Sequence, residues 1–115
     1  MNVEKLKITI PLLCRPKKNS QELAFKNGRP FIVQSKRYLQ FERDCAYFLK
    51  KYSRHIDTPV NLKCLFFVPD RRRRDLCNLL NGMQDVLVKY DVIADDNSNI
   101  VVGVDGSRVI YEKRA

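Results

Sequence analysis

Residues 59–90 read PVNLKCLFFVPDRRRRDLCNLLNGMQDVLVKY and contain a strand pattern, a cationic turn and a helix pattern in succession. Apolar residues alternate along Pro59–Val68, and Leu65 and Phe67 make its second half apolar on both faces, which predicts a central strand. From Leu76 to Tyr90 the apolar residues recur at three- and four-residue steps, which predicts a helix with one buried face. The helix residues predicted to face the core are Leu76, Leu79, Leu80, Met83, Leu87 and Tyr90.

The sequence on either side of this stretch predicts further strands and a second helix. Residues 3–12, VEKLKITIPL, alternate between apolar and polar side chains, which predicts a first strand. Ser35 is the predicted cap of a helix that runs to about Arg54. The apolar stripe of that helix comprises Tyr38, Phe41, Cys45, Phe48, Leu49 and Tyr52. Towards the C-terminus, NIVVGV and RVIYEK flank the turn DGS and predict a closing hairpin.

Residues 14–33 are expected to be irregular, with a turn at Asn27-Gly28 and a short strand at Phe31–Val33. The resulting order β-α-β-α-β-β predicts an α+β fold in which two helices pack on a mixed sheet. The 115 residues carry no repeat or linker that would divide them, so we expect one domain over residues 1–115. A chain of this length buries a core without metal or disulfide staples.

The net charge is +9, and cations cluster at Lys17-Lys18, Lys50-Lys51 and Arg71–Arg74. Clustered positive charge on a small domain predicts a polyanionic partner, either nucleic acid or an anionic membrane surface. Evenly mixed charge would fit a role in solubility better. No stretch is long and apolar enough for a membrane span, and the N-terminus lacks a signal-peptide pattern. These features predict a cytoplasmic protein, and of the two partners we expect nucleic acid and not a membrane.

The four cysteines, Cys14, Cys45, Cys64 and Cys77, are scattered and lack the short paired spacings of a zinc site. We expect Cys45 and Cys64 to be small apolar core residues, which is the common fate of a free cysteine. His55 is the only histidine and is expected at the surface. The sequence therefore does not favour a nucleophile pair that depends on histidine.

The cationic turn PDRRRRDLCN, residues 69–78, lies between the predicted strand and helix, at an edge where α/β-type folds place ligands. It admits three interpretations: a solvated patch, a grip on a phosphate backbone, or the rim of a metal site. Asp75 and Cys77 share one face if the segment is extended, and either Asp75 or Asn78 can cap the helix. Asp95-Asp96 follow the helix, and they meet Asp75 only if their turn folds back along it.

Carboxylates beside arginines are suited to phosphodiester hydrolysis. Mg²⁺ prefers hard oxygen ligands, usually one or two carboxylates together with water and substrate phosphate. The ion orients or activates the attacking water and neutralises charge on the phosphate oxygens. Arginines hold the backbone through charge-assisted, often bidentate hydrogen bonds. Each feature is common alone, but their position at the two ends of one helix favours a metal site that binds phosphate.

PDRRRRDLCN, the helix NLLNGMQDVLVKYDVI and the ADD that closes it resemble the RusA family of Holliday junction resolvases over residues 69–96. That family comprises small dimeric endonucleases of bacteria, often encoded by prophages, which act in recombination and repair. Its pattern is P-D-R-R-R-R-D-L-D-N, then a leucine, one residue and a lysine, then D-x-L within the helix, then D-D. The resemblance implies a homodimer that cleaves branched DNA with Mg²⁺, or with Mn²⁺ in its place.

By this resemblance Asp75 and Asp96 are implied catalytic metal ligands, and Asp95 is a candidate ligand beside them. Asn78 and Asp85 match structural positions of the pattern. Arg74 matches an arginine implied in phosphate or junction contact. The cations predicted to bind DNA are Arg71, Arg72, Arg73, Arg74, Lys17, Lys18 and Lys89.

Two positions of the implied catalytic set depart from the pattern. Cys77 occupies the position of the family's middle aspartate, and a thiol is a soft, mostly protonated and poor ligand for Mg²⁺. Asn81 occupies the position of the lysine, and Lys89 lies about 12 Å further along the helix, too far for a simple replacement. Two functions stay open: a metal-dependent junction endonuclease, or a junction-binding protein without cleavage. A basic RNA-binding domain is a weaker alternative, because no RNA-recognition signature occurs.

Overall fold

The computed structural model describes residues 5–16, 21–34 and 36–112 of the chain. Within these ranges two helices and six short strands form an α+β fold, which confirms the predicted fold class. No helix in the same ranges is long and apolar enough to cross a membrane. The elements are β1 (Gln21–Lys26), β2 (Arg29–Gln34), α1 (Lys36–Leu49), β3 (Val60–Asn61), β4 (Leu65–Val68), α2 (Leu76–Lys89), β5 (Val101–Gly103) and β6 (Arg108–Tyr111).

Helix α1 confirms the predicted amphipathic pattern. It buries Tyr38, Phe41, Cys45 and Leu49, all of which belong to the predicted stripe. A single 3₁₀ turn over Lys50–Tyr52 continues it. The predicted cap at residue 35 lies outside the described residues. The three- and four-residue spacing is therefore sufficient to place the face of α1 that the core covers.

Helix α2 contributes to both parts of the core. Val86 and Leu87 join the α1 stripe in the larger cluster, which also includes Val92, Ile93 and Ile100 from the segment after α2. A smaller cluster contains Leu79 and Leu80 of α2 with Phe66 of β4. Because its C-terminal half packs in the larger cluster and its N-terminal half in the smaller one, α2 has a fixed orientation relative to α1 and to β4.

The predicted central strand over Pro59–Val68 is divided in the structure into β3 and β4. β3 pairs in parallel with β5, and β4 pairs in parallel with β6. Between the two pairs, the Ser107 hydroxyl accepts a hydrogen bond from the Cys64 amide (2.9 Å) and donates one to the Leu62 carbonyl (3.2 Å). A side chain thus replaces ladder bonds where the strand was expected to be continuous.

One face of β4 is exposed, so the expectation of a strand covered on both faces is wrong. Phe66 and Val68 are buried, as the alternation predicts. Leu65 and Phe67 point the other way and are 42% and 47% exposed. Within the described residues β4 has β6 as its one strand neighbour.

The predicted closing hairpin is also wrong, because β5 and β6 do not pair with each other. The DGS turn instead connects them without reversing into a hairpin, with Gly106 in the left-handed region at φ 84°. The Asn61 side chain stabilises this turn, because its Nδ2 donates to the Asp105 carbonyl (3.1 Å) and its Oδ1 accepts from the Asp105 backbone amide (2.8 Å). Each strand consequently finds its partner in the segment that precedes α2.

Residues 5–12 of the predicted first strand do not form a strand. The alternation itself is present, since Leu6, Ile8 and Ile10 are half-buried against the larger core cluster and the residues between them are exposed. Alternation requires only an extended segment on an apolar surface, whereas a strand also needs a backbone ladder with a neighbour. An apolar cavity of about 230 Å³ is lined by this segment and by β4.

Residues 21–34 form an antiparallel hairpin where the sequence predicts an irregular segment. The predicted turn at Asn27-Gly28 is confirmed, and both residues are left-handed, with φ values of 53° and 76°. This is the turn chemistry that two-residue hairpins require. The predicted strand at Phe31–Val33 lies within β2, and β1 is the strand that the sequence pattern did not reveal.

Candidate functional site

The cationic turn before α2 is organised around the carboxylate of Asp70. Its Oδ1 accepts hydrogen bonds from the Arg72 amide and from Nη1 of Arg74, both at 2.9 Å. The same Nη1 donates to the carbonyl oxygens of Asp70 and Arg72, each at 3.2 Å. The hydrogen bond from the Arg72 backbone amide, and next the one from the Arg74 side chain, lower the pKa of Asp70 below its ordinary value. The turn is therefore an internally bonded loop.

The arginines of this loop are not equivalent. The Arg74 side chain is 17% exposed, and it directs its charge into the loop. The Arg72 side chain is 85% exposed, and its Nε lies 3.8 Å from Asp70 Oδ2, a contact that solvent screens. Arg74 consequently maintains the shape of the loop, while Arg72 presents its guanidinium to solvent.

Arg71 and Arg73 complete the cationic surface. The Arg71 guanidinium lies over the Tyr111 ring at 4.5 Å from its centroid, which connects the loop to the end of β6 by a cation–π contact. Arg73 is exposed, and it forms no ion pair or side-chain hydrogen bond with the described part of the chain. Arg71, Arg72 and Arg73 are all exposed, and Arg72 and Arg73 are the least constrained of the four side chains, on a loop that Arg71 and Arg74 hold in place.

Asp75 is the N-cap of α2. Its backbone is extended, and its Oδ1 accepts from the amides of Cys77 (2.9 Å) and Asn78 (3.4 Å). Because Cys77 belongs to the first helical turn, the expectation that Asp75 and Cys77 share a face of an extended segment is wrong. Cys77 and Asn81 are exposed one helical turn apart, and Asp85 follows at the same spacing, so the three occupy one stripe of α2.

The turn after α2 brings Asp95 and Asp96 together. Asp95 Oδ1 accepts from the Asp96 backbone amide at 2.7 Å, and Oδ2 accepts from the side-chain Nδ2 of Asn97 at 3.2 Å. Partial burial, a hydrogen bond shared with the Asp95 carboxyl and the charge of Asp85 raise the pKa of Asp96. The charge of Asp85, which lies on the α2 stripe that begins at Cys77, therefore acts on Asp96.

The carboxylates have the right chemistry for Mg²⁺, whereas the Cys77 thiol does not. Asp95 and Asp96 offer hard oxygen donors, and Asp75 uses one carboxylate oxygen for the helix cap. In residues 5–16, 21–34 and 36–112, however, no three histidine, cysteine, aspartate or glutamate side chains converge closely enough to hold a metal ion. The assignment of Asp75, Asp95 and Asp96 as metal ligands stays a prediction.

Lys89, one of the predicted DNA-binding cations, contributes less to this surface than the arginines. Lys89 forms an ion pair with Glu42 of α1, and its ammonium lies 6.0 Å from the centroid of the Tyr90 ring. The hydrogen bond to Glu42 raises the pKa of Lys89, and the pair leaves little net charge for a ligand. Lys17 and Lys18 lie outside the described residues.

Two residues, Asp70 and Tyr111, shape the site through contacts that the sequence did not predict. Asp70 organises the loop, and a local sequence signal for this existed. An aspartate side chain commonly accepts a hydrogen bond from the backbone amide two residues further on, as Asp70 does from Arg72. Tyr111 holds Arg71 from β6. That contact depends on the parallel pairing of β4 with β6, and no local pattern announces it.

No protein-family model matches this chain, and comparison with curated proteins gives no match either. The function is therefore inferred from the placement and chemistry of the side chains.

Proposed function

We propose that this protein binds four-way DNA junctions and, with Mg²⁺ or Mn²⁺ bound, hydrolyses phosphodiester bonds in them, as the RusA family does. The observation that supports this proposal is the loop before α2, in which Arg74 and Arg71 are engaged within the fold while Arg72 and Arg73 face solvent. A loop whose backbone is held in place limits the positions that the Arg72 and Arg73 side chains can reach, which lowers the entropic cost of binding phosphate. A cytoplasmic homodimer with one such loop per protomer would meet two strands of a junction.

In this proposal each side chain has a defined role. Arg72 and Arg73 bind the phosphates on either side of the scissile bond. Asp75, Asp95 and Asp96 are the proposed ligands of the metal ion, which would supply charge neutralisation and an activated water when bound. In the described structure these three carboxylates do not converge on one point. Arg74 acts through the loop, because its hydrogen bonds to the Asp70 carboxylate and the Arg72 carbonyl hold the backbone that carries Arg72 and Arg73.

A second candidate is a junction-binding protein that does not cleave. The observation in its favour is the exposed stripe of α2, where Cys77 and Asn81 supply neither a hard anionic ligand nor a cation. Binding through phosphates would persist, because it requires neither Cys77 nor Asn81. Cleavage would be absent or very slow.

One experiment separates the two candidates. The native chain, Cys77→Asp, Asn81→Lys and the double variant are incubated with a labelled four-way junction, with Mg²⁺, with Mn²⁺ and with chelator. Paired nicks by the native chain support the endonuclease. Nicks that appear only in the double variant support the binding protein.

The matched control is Asp75→Asn in each background, since asparagine preserves the helix cap and removes the carboxylate charge. Metal-dependent nicking that survives this change would contradict the role given to Asp75. Binding of linear duplex, single strand and junction with equal affinity by the native chain would overturn the junction proposal and favour a general nucleic-acid binder.

A further inference from the structure

The β1–β2 hairpin is set apart from the core of the protein. Its two strands pack chiefly on each other, and none of its described side chains belongs to either core cluster. Leu23, Phe25 and Phe31 are large apolar residues that are nevertheless exposed, with Phe25 at 67%. A hairpin whose described side chains all lie outside the core clusters needs another reason to keep large apolar residues on its surface.

Positive charge is concentrated at the tip of this hairpin. Lys26 and Arg29 are directly opposite each other in the antiparallel register, on either side of the Asn27-Gly28 turn. Like charges in such a cross-strand pair destabilise a hairpin. Both side chains are exposed, and an anion bound between them would relieve the repulsion. The tip is therefore suited to an anionic partner.

The two faces of the hairpin carry different chemistry. Alternation along the strands places Phe31 on the same face as Lys26 and Arg29, while Phe25 lies on the other face with Pro30 directly opposite it. One face thus combines cations with an aromatic ring. The other presents a phenyl ring and a proline ring side by side at the narrow end of the ribbon.

We propose that the tip of the β1–β2 hairpin is a second DNA-contacting surface, in which Lys26 and Arg29 bind phosphates and Phe25 packs against the bases or sugars of a groove or open branch point. This inference rests on the proposed function, because it assigns a further surface to the same DNA partner. β-ribbons with a cationic surface and an apolar wedge of phenylalanine or proline are an established way to enter and deform a DNA groove. A second copy of this chain is a poorer occupant, since two tips in contact would bring four cations together in a protein of net charge +9.

The first test uses tryptophan as a reporter, because the chain contains no tryptophan of its own. Phe25→Trp places the indole at the tip, and Tyr47→Trp places it on α1 at a side chain that is 74% exposed. Titration with a four-way junction should quench the emission of Phe25→Trp through base or sugar contact and leave that of Tyr47→Trp unchanged. Equal responses of the two variants, or none while both bind the junction, would overturn the proposal.

Emission of Phe25→Trp that shifts with protein concentration when DNA is absent would also overturn the proposal, because that result identifies a second copy of the chain as the occupant.

The second test compares Lys26→Ala/Arg29→Ala with Lys50→Ala/Lys51→Ala, which removes the same charge from the end of α1. The hairpin variant should reduce the slope of log affinity against log salt by about 2, one for each lost phosphate contact. Equal slopes for the two double variants would contradict a contact at the tip.

These outcomes are distinct from a failure of the proposed function. If the native chain binds no junction at any salt concentration, the proposed function itself fails. If it binds and the hairpin variants bind with the same affinity and salt slope, the arginine loop is sufficient and only the inference about the hairpin fails.

Discussion

His55 and Asp91 form an exposed pair that connects the end of the α1 region to the end of α2. Nδ1 of His55 lies 2.6 Å from Oδ1 of Asp91, and the His55 amide donates to the Asp91 carbonyl at 2.7 Å. Both residues are left-handed, with φ values of 48° and 60°. Asp91 occupies the position after the C-cap of α2, where helices commonly use glycine. The pair thus fixes the start of the segment that leads to Asp95.

We expect this pair to make stability depend on pH. The hydrogen bond and charge of Asp91 raise the pKa of His55 above its ordinary 6.5. A raised histidine pKa gives a contribution to stability that is fully present below the unfolded-state pKa and is lost as the pH rises through the folded-state pKa. The melting temperature of His55→Asn should therefore lie below that of the native chain at about pH 5.5, and the difference should shrink by about pH 8.5.

Asp91→Asn is the matched variant, because asparagine tolerates the left-handed backbone and carries no charge. The single histidine gives one set of imidazole NMR signals, and its pKa should fall towards 6.5 in this variant. An unchanged titration curve would show that Asp91 does not set the His55 pKa in solution, and Asp57, which also acts on His55, would be the next residue to substitute.

The cap and the proposed metal-binding role of Asp75 are separable. Asp75→Ala removes the acceptor of two amide hydrogen bonds and should lower the free energy of unfolding by about 1 kcal/mol. Asp75→Asn should retain most of that stability, because asparagine caps as well as aspartate does. Urea denaturation measures both variants. Loss of stability as large in Asp75→Asn as in Asp75→Ala would show that the charge, rather than the hydrogen bonds, stabilises this helix end.

Arg73 and Arg74 should respond in opposite ways to substitution. Arg74→Ala removes three hydrogen bonds within the loop, so we expect the free energy of unfolding to fall by about 1–2 kcal/mol. Arg73→Ala should leave stability within about 0.5 kcal/mol of the native value. If Arg73 binds a phosphate, its removal should also reduce the salt slope of DNA binding by about 1. If Arg73→Ala lowered stability and Arg74→Ala reduced the salt slope, the exposed guanidinium would be that of residue 74.

Local sequence patterns predicted the helices well, because one side of each helix meets the core and the spacing of apolar residues records that directly. Val86 shows the limit of this approach, since it is fully buried although the predicted stripe of α2 omitted it. The exposure of Leu65 and Phe67 had the opposite cause, because apolar residues on both faces of a strand do not supply a cover for the second face. Burial depends on neighbours that arrive from distant parts of the chain.

The strand partners and the differences among the arginines were beyond local reasoning for a related reason. Residues 60–68 pair with residues 101–111, and the Asn61 and Ser107 side chains bond the turn and the gap between the two strand pairs. In the sequence Arg71–Arg74 are four identical letters. Their roles diverge only when Asp70 accepts from Arg74 and the ring of Tyr111 arrives beneath Arg71.

Thiol labelling should distinguish Cys77 from the other cysteines and test the site at the same time. Burial raises the pKa of Cys14 and Cys45 to about 12 and that of Cys64 to about 11, so these three thiols should react slowly near neutral pH. Cys77 is exposed at the start of α2 and should supply the one rapidly labelled thiol per chain. Cys77→Ala should abolish the rapid phase, and urea should expose the three slow thiols.

Junction DNA should protect Cys77 from the same reagent, because the thiol lies two residues after Asp75 and just beyond the arginine loop. The rate of the rapid phase should fall as the junction saturates the protein and recover when high salt releases the DNA. The appropriate control is Tyr47→Cys in the Cys77→Ala background, whose labelling rate should not change when the junction is added. A rate at Cys77 that is insensitive to saturating junction would mean that the DNA lies elsewhere, and the stripe of α2 from Cys77 to Asp85 could not then be the place of cleavage.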